Sequence, residues 1–301
     1  MALRRRPSRS PTIAAVSDDT ASNATTAGFA DRYGPWALVA GASEGVGLAY
    51  ARAMAERGLD VALVARRQPV LRDVAAEIQD RFGVQTRVLA LDLSHEEAAG
   101  RIADATSDVE IGMFMYCAGA DPNFENFLEG SIDAADAMVR RNCVTPLRLC
   151  HHLAPPMVAR RRGGIVLVSS GAALVGARRM VAYASSKAFD LVMGEALWAE
   201  LHESGVDVLS LVLGVTDTPA LRRLLAERGN LASADDATPI PGAATPDEVV
   251  QEALAHLGRG PTWFVGQMLR EGAKHLGAMD RNDAVRLMFE VGAGVMDQKL
   301  S

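Results

Sequence analysis

Short apolar segments alternate with segments of helical periodicity over most of this sequence. The apolar segments, which we expect to form strands, are residues 36–40, 61–65, 86–91, 111–117, 165–169 and 206–213. Helical spacing occupies residues 48–57, 70–82, 134–161 and 183–204 between and after them. Such alternation is typical of βαβ units, whose right-handed crossovers cover both faces of a parallel sheet. The sequence therefore predicts an α/β fold with a doubly wound parallel sheet.

The first 28 residues differ from the rest of the chain. Four arginines lie within the first nine residues, and a Ser/Thr/Ala/Asn-rich stretch with little hydrophobic periodicity follows. We expect a disordered tail over residues 1–28. A transit peptide is the alternative, which Asp18 and Asp19 disfavour. Residues 29–301 are predicted to form one domain, with the substrate-binding region at about residues 215–301.

Charge and cysteine content argue against several classes of function. A formal net charge of −6 gives no overall attraction for nucleic acid or an anionic membrane. Three consecutive arginines at residues 160–162 are expected to be a solvated helix end, where the helix dipole favours cations. No apolar segment approaches the ~20 residues that span a bilayer. Three cysteines are too few for a disulfide framework, and no second ligand cluster accompanies Cys143 and Cys150. We therefore expect no metal and a reducing, cytoplasmic setting.

A glycine-rich turn follows the first predicted strand. Residues 39–47 read VAGASEGVG, with the spacing Gly-x3-Gly-x-Gly. Phosphate must approach the backbone closely at such a turn, and the helix N-terminus behind it offers amide donors and a favourable dipole. A tight strand–helix turn alone would also require glycine. The expected cofactor contacts here are Gly41, Ser43, Glu44, Gly45, Val46 and Gly47.

The end of the second predicted strand bears on the choice of dinucleotide. An acidic residue there would bind the ribose 2′-hydroxyl of NAD, whereas an arginine accommodates the 2′-phosphate of NADP. Arg66 and Arg67 occupy this position, so we expect NADP(H); the alternative is two solvated loop arginines. Asp92 and Leu93 close the third strand, where Asp92 is expected either beside the adenine or as the cap of a helix starting near Ser94.

The most specific pattern combines Ser170, Tyr183 and Lys187. Tyr183 and Lys187 are four residues apart at the start of a predicted helix, so their side chains share one face. A phenol has an ordinary pKa of about 10, which a neighbouring ammonium lowers. Ser170 lies thirteen residues upstream at the end of a strand, the edge at which open α/β sheets bind ligands. These three groups are suited to proton transfer at a carbonyl or alcohol oxygen.

On these motifs, the chain resembles the short-chain dehydrogenase/reductase family from about residue 33 to residue 219. The resemblance implies a Rossmann fold and hydride transfer with a nicotinamide cofactor. It implies that Tyr183 is the general acid in reduction and the base in oxidation. Lys187 would also hold the nicotinamide ribose hydroxyls, and Ser170 would bind the reacting oxygen. Asn142 matches the helix asparagine that holds a proton-relay water in this family.

Two segments depart from the family pattern. The family's Asn-Asn-Ala-Gly appears here as YCAG at residues 116–119, and its Pro-Gly after the sixth strand appears as Leu-Gly at residues 213–214. The threonines that follow are still expected to reach the nicotinamide carboxamide, and neither departure removes a catalytic group. The cofactor contacts expected in these segments are Cys117, Ala118, Gly119, Gly214, Val215, Thr216 and Thr218.

A closer resemblance is to bacterial NADP-dependent hydroxysteroid dehydrogenases of the 7β type. It rests on residues 32–47, on NCVT at 142–145 with the histidine pair at 151–152, on LGVT at 213–216 and on TPDE at 245–248. This resemblance suggests a bulky alicyclic ketone or secondary alcohol as the small-molecule substrate. Specificity is expected in residues 121–129 and 220–242 and in the tail beyond.

Two other functions stay open at this point. One is a 3-oxoacyl thioester reductase, and the other is a sensor that binds NADP without turnover. The family resemblance also implies a homodimer or homotetramer, paired through the helices at 134–161 and 183–204.

Overall fold

Seven parallel strands form one sheet in a computed structural model of the chain, which describes residues 26–120 and 124–297. The strands are β1 Trp36–Ala40, β2 Asp60–Ala65, β3 Thr86–Ala90, β4 Ile111–Tyr116, β5 Gly163–Ser170, β6 Val206–Leu213 and β7 Thr262–Phe264. Their order in the sheet is β3-β2-β1-β4-β5-β6-β7. The chain winds outward in both directions from β1 and β4, so the crevice at the carboxyl ends of these two strands is where this class of sheet binds ligands.

Helices cover both faces of the sheet. They are α1 Thr26–Tyr33, α2 Gly45–Glu56, α3 Gln68–Phe82, α4 Ala98–Ala105, α5 Ile132–Val139, α6 Thr145–Ala159, α7 Val181–Leu201, α8 Pro219–Glu227, α9 Pro246–His256, α10 Gln267–Ala278 and α11 Arg281–Asp297. A π-helical turn, Arg140–Val144, joins α5 to α6. Within the described ranges, no helix is long and apolar enough to cross a membrane.

Alternate residues of the strands pack into two separate hydrophobic cores. In β1, Val39 faces the core made with α2, α3 and α9, whereas Leu38 faces the core made with α4, α6 and α7. All five residues of β1 are buried. Two buried faces explain why these strands are continuous apolar runs rather than alternating ones.

The doubly wound parallel sheet predicted from the sequence is confirmed. The bounds of β1 and β6 are as predicted, but the expected helix over residues 134–161 is interrupted by the π-helical turn. The arginines at 160–162 are not simply solvated, because Arg160 and Arg162 donate hydrogen bonds to the carbonyls of Ile111 and Gly34. The expected tail lies outside the described residues except for residues 26–28, which begin α1.

Candidate active site

The glycine turn between β1 and α2 leaves no room for side chains. A Cβ on Gly47 would lie 2.1 Å from the carbonyl oxygen of Gly41, and one on Gly41 would lie 2.9 Å from the amide nitrogen of Ala118. Glu44 is the N-cap residue of α2, but its side chain makes no hydrogen bond to the helix amides. The first-turn N–H groups therefore keep their capacity for an anion, and the turn fits a dinucleotide pyrophosphate.

Charged side chains surround this turn. The Glu44 carboxylate lies 2.5 Å from an Nη2 of Arg67 and 2.5 Å from Nη2 of Arg223 on α8. Burial would raise the pKa of Glu44, but the two guanidinium groups outweigh it and lower that pKa. Arg67 also reaches Ser43, at 3.3 Å. Arg66 is exposed and makes no hydrogen bond or ion pair with any described residue, so its guanidinium is available to a ligand.

Asp92 and Leu93 follow β3 and lie in different environments. Asp92 is exposed, and its Oδ1 accepts hydrogen bonds from the amide and hydroxyl of Ser94, at 2.9 and 2.7 Å. Burial would raise the pKa of Asp92, but these hydrogen bonds lower it overall. Leu93 is buried in the core, and its carbonyl accepts a hydrogen bond from Thr145. Asp92 therefore shapes a turn at the rim of the crevice, and α4 starts four residues beyond Ser94.

Lys187 lies deep in the site and is only 3% exposed. Its Nζ donates to the carbonyl oxygen of Val168 on β5, at 2.9 Å, and lies 3.1 Å from Oδ2 of Asp190 one helical turn further along α7. The hydroxyl of Ser169 donates to the Lys187 carbonyl, at 2.7 Å, and so fastens α7 to β5. The ammonium group is thus held by one carbonyl and one carboxylate at a fixed place.

Asn142 is fully buried in the π-helical turn. Its Nδ2 donates to Oγ of Ser186, at 2.8 Å, and to the carbonyl of Gly119, at 3.4 Å. Ser186 in turn donates to the carbonyl of Tyr183, at 2.8 Å. A Cβ on Gly119 would lie 2.8 Å from both Asn142 Oδ1 and Lys187 Nζ. The absence of a side chain at Gly119 therefore lets Asn142 and Lys187 approach the same point.

Tyr183 and Ser170 each retain an unused hydroxyl donor. Tyr183 is half-buried in the first turn of α7, and its hydroxyl forms no hydrogen bond with any described residue. The hydroxyl oxygen of Ser170 accepts from the amide of Ala172, at 3.2 Å, so its proton is left to donate. Both lie where β5 and the segment after it reach the carboxyl edge of the sheet. Both hydroxyl groups therefore keep a proton that no described residue accepts.

The segment after β6 folds back toward the glycine turn. Thr218 caps α8 by accepting from the amide of Leu221, at 3.2 Å, and its Cγ2 would lie 3.1 Å from a Cβ on Gly45. Thr216 pairs with Ala244 in a parallel bridge. Gly214 and Val215, which precede Thr216 in the chain, are exposed. Cys117 donates its amide to the carbonyl of Ala40, at 2.9 Å, and the amide nitrogen of Ala118 would lie 2.9 Å from a Cβ on Gly41, so the YCAG segment also borders the turn.

The open side of the site is bordered by apolar side chains. Leu269 of α10 would lie 3.0 Å from a Cβ on Gly171 and 3.9 Å from one on Gly214. The ring of Phe124 meets that of Tyr183 edge-on, with centroids 6.0 Å apart. The expected specificity loop at 121–129 is described only from Phe124 onward, because residues 121–123 lie outside the described part.

Sequence reasoning missed three groups at the site: Ser186, Asp190 and Arg223. Ser186 and Asp190 are polar residues in a helix, which a periodicity argument assigns to solvent. The Tyr-x3-Lys pattern, with Asp190 three residues after Lys187, was the available signal that this face of the helix is functional. Arg223 is 179 residues from Glu44 in sequence, so no local pattern indicates the pair.

A nucleotide-binding α/β protein is defined by three features of this structure. They are the reversal of strand order between β1 and β4, the glycine turn, and the polar groups at the carboxyl edge of the sheet. Residues 35–229 match the family model described as short chain dehydrogenase. The chain belongs to this family, and the resemblance read from the sequence is confirmed.

Its relatives include hydroxysteroid dehydrogenases. The 7β-hydroxysteroid dehydrogenase of Clostridium sardiniense is 33% identical over 261 residues, which cover 85% of this chain and 95% of that protein. A solved 7β-hydroxysteroid dehydrogenase structure matches with a TM-score of 0.77 at 32% identity, covering 86% of this chain and 98% of the other. A short-chain dehydrogenase from Sphingobium yanoikuyae, solved in complex with NADPH, matches with a TM-score of 0.68 at 26% identity, covering 82% and 96%.

Proposed function

We propose that this chain is an NADP(H)-dependent oxidoreductase that interconverts a bulky, hydrophobic ketone and its secondary alcohol. The observation that carries the proposal is the hydroxyl of Tyr183. It has no hydrogen-bond partner among the described residues, lies on the same helix as the buried Lys187 and stands at the ligand-binding edge of the sheet. A donor kept free in such a place is suited to a substrate oxygen.

The residues of the site divide the reaction between them. A bound nicotinamide would supply the hydride in reduction and accept it in oxidation. Tyr183 donates its hydroxyl proton to the carbonyl oxygen in reduction and takes a proton from the alcohol in oxidation. Ser170 donates a hydrogen bond to the same oxygen, with its own oxygen fixed by the amide of Ala172. Lys187 would hold the ribose hydroxyls, and Asn142 would hold the relay water beside it.

The preference for NADP(H) rests on charge at the end of β2. Arg66 is exposed without a hydrogen bond or ion pair to the described chain, and the strand ends without a carboxylate. A guanidinium group matches phosphate oxygens in two-point contact. Arg67 is partly committed to Glu44, so Arg66 is proposed as the principal ligand of the 2′-phosphate.

The steroid-like substrate class is supported by the named activity of the relatives and by the apolar border of the site. Leu269 and Phe124 place hydrocarbon surface near the reacting groups. An apolar cleft of about 390 Å³ also borders the start of α7, lined in part by Met180, Val285 and Phe289. These surfaces suit a fused-ring ketone better than a small polar one.

A panel assay at 340 nm tests the proposal. NADPH and NADH are each offered with steroid 7-ketones, small cyclic ketones and 3-oxoacyl thioesters. We expect turnover with NADPH on a steroid ketone, at least tenfold better than with NADH. Turnover confined to the thioesters would replace the steroid assignment with the acyl reductase, and NADPH binding without turnover on any of them would favour the sensor.

We also propose a homodimer or homotetramer in the cytoplasm, where the three cysteines stay as thiols. Apolar side chains are exposed on the two helices that flank the site: Leu147 of α6 is 49% exposed, and Val192 of α7 is 61% exposed. Pairing of these helices between subunits would bury them. Light scattering on the purified protein would give twice the chain mass of 31.9 kDa, or four times for a tetramer; a monomer would reject this proposal.

A further inference from the structure

The carboxylate of Asp190 is buried beside the candidate catalytic lysine. Asp190 is 0% exposed in the interior of α7. Its Oδ2 lies 3.1 Å from Lys187 Nζ, and its Oδ1 has no hydrogen-bond partner among the described residues. Burial of a carboxylate with one oxygen unpaired lowers the free energy of unfolding of the protein. An apolar side chain would fill this position on a packed helix more favourably, so stability does not account for an aspartate here.

Among the described residues, Lys187 is the cation that acts on Asp190. The other titratable groups that face Asp190 are a phenol and two thiols. From β4, the hydroxyl of Tyr116 is near enough to interact electrostatically with it. The thiols of Cys143, in the π-helical turn, and Cys150, on α6, also interact electrostatically with Asp190. Burial raises the pKa values of all three groups, so they are neutral over the working range of pH. The negative charge of Asp190 therefore acts chiefly on Lys187.

We infer that Asp190 is a positioning residue that acts through Lys187. Its carboxylate and the Val168 carbonyl hold the ammonium group beside Gly119, where no side chain intervenes. Under the proposed function, on which this inference rests, that is where Lys187 meets the nicotinamide ribose. Loss of the carboxylate charge leaves Lys187 with the Val168 carbonyl and a neutral acceptor at position 190, so the ammonium group is less firmly placed and the cofactor binds more weakly.

The pH dependence follows from the ionisation of Asp190. Burial raises the pKa of Asp190 to about 6, and Lys187 opposes that rise. Above this pH the carboxylate holds Lys187; below it the neutral carboxyl group holds Lys187 weakly. Stability runs in the opposite direction, because a raised pKa means that the folded state binds the proton more tightly than the unfolded state does. The stabilisation from protonated Asp190 is full below the unfolded pKa, near ~3.9, and is lost as pH rises through about 6.

The test compares the wild type with Asp190→Asn, which keeps the shape and removes the charge. NADPH dissociation constants are measured by nucleotide fluorescence from pH 5 to pH 8. The ratio of the variant's constant to the wild type's is the quantity of interest, because the ionisation of the cofactor phosphate, also near ~6, cancels in it. We expect a ratio of about 5 to 10 at pH 7.5 that falls toward 1 at pH 5. Glu200→Gln, an exposed carboxylate on the same helix, should give a ratio of 1 throughout.

A ratio for Asp190→Asn that is independent of pH, or that stays at 1, would overturn the inference. Thermal unfolding is the second measurement: the melting temperature of Asp190→Asn relative to wild type should rise between pH 5 and pH 7.5, and a constant difference would count against the inference. Ketone turnover in the same samples separates the two proposals. A pH-dependent ratio without turnover supports the positioning role and rejects the reaction; turnover with a flat ratio rejects the positioning role alone.

Discussion

Gly119 is the position at which a single methyl group would disturb the candidate catalytic residues most directly. It follows β4 with a φ of +127°. Residues other than glycine rarely adopt this backbone conformation. The added Cβ of Gly119→Ala would lie 2.8 Å from Oδ1 of Asn142 and 2.8 Å from Nζ of Lys187. Both neighbours are buried and hydrogen-bonded, so neither moves without losing a partner.

The expected size of the effect comes from these contacts. Ordinary van der Waals contact with a Cβ begins at 3.4 Å, so each neighbour must withdraw by about 0.6 Å. The positive φ costs about 1–2 kcal/mol, and withdrawal weakens hydrogen bonds worth about 1 kcal/mol each. We expect the free energy of unfolding to fall by about 2–4 kcal/mol in total. A displacement approaching 1 Å at a reacting centre costs on the order of 100-fold in rate, so kcat/KM should fall 10- to 100-fold.

Thermal or urea unfolding and the 340 nm assay measure the two effects separately. Gly100→Ala is the matched control, because that glycine lies in α4 with nothing within 4 Å of an added Cβ. In a helix interior this substitution should stabilise by up to about 1 kcal/mol, with turnover unchanged. If Gly119→Ala kept wild-type kcat/KM and NADPH affinity, the close approach of Asn142 and Lys187 would be irrelevant to function and the reasoning would be refuted.

Three other substitutions test separate parts of the account. Arg66→Ala should weaken NADPH binding about tenfold and leave NADH binding unchanged. Arg72→Ala, at an exposed arginine on α3, is the control. Equal losses of affinity for both nucleotides would remove Arg66 from the phosphate site. Gly47→Ala should abolish nucleotide binding, since its Cβ would lie 2.1 Å from a main-chain oxygen; titration calorimetry with retained affinity would contradict the glycine cradle. Asp207→Ala should lower the free energy of unfolding by about 1–3 kcal/mol, because the buried hydroxyl of Tyr33 loses the carboxylate that accepts its hydrogen bond at 2.6 Å. Unchanged urea denaturation would show that this contact is not stabilising.

The fold could be predicted because the buried strands leave a strong signal in the sequence. Val206–Leu213 and Trp36–Ala40 are apolar runs buried on both faces, and their predicted bounds match those observed. The short strand Thr262–Phe264 was missed, since three half-buried residues give too little periodicity. The π-helical turn was missed as well, because it is a single turn within a segment, Ile132–Ala159, that is otherwise helical throughout.

The candidate site was only partly predictable. The placement of Tyr183 and Lys187 on one helix follows from a spacing of four residues, which local geometry fixes. The pairing of Glu44 with Arg223 depends on where α8 folds back, and no local rule fixes that. The burial of Asp190 depends on the strand and π-helical turn packed against α7. Contacts of this kind arise from tertiary packing, which a single sequence does not display.

The role of Tyr183 as general acid is tested most directly by comparing wild type with Tyr183→Phe on a steroid ketone. The phenol hydroxyl has no hydrogen-bond partner among the described residues, so its removal should leave folding and NADPH affinity intact. We expect NADPH binding within twofold of wild type and kcat reduced by a factor on the order of 10²–10⁴, as for loss of a general acid. A variant that binds NADPH and reduces the ketone at the wild-type rate would contradict the assignment of Tyr183 and the mechanism built on it.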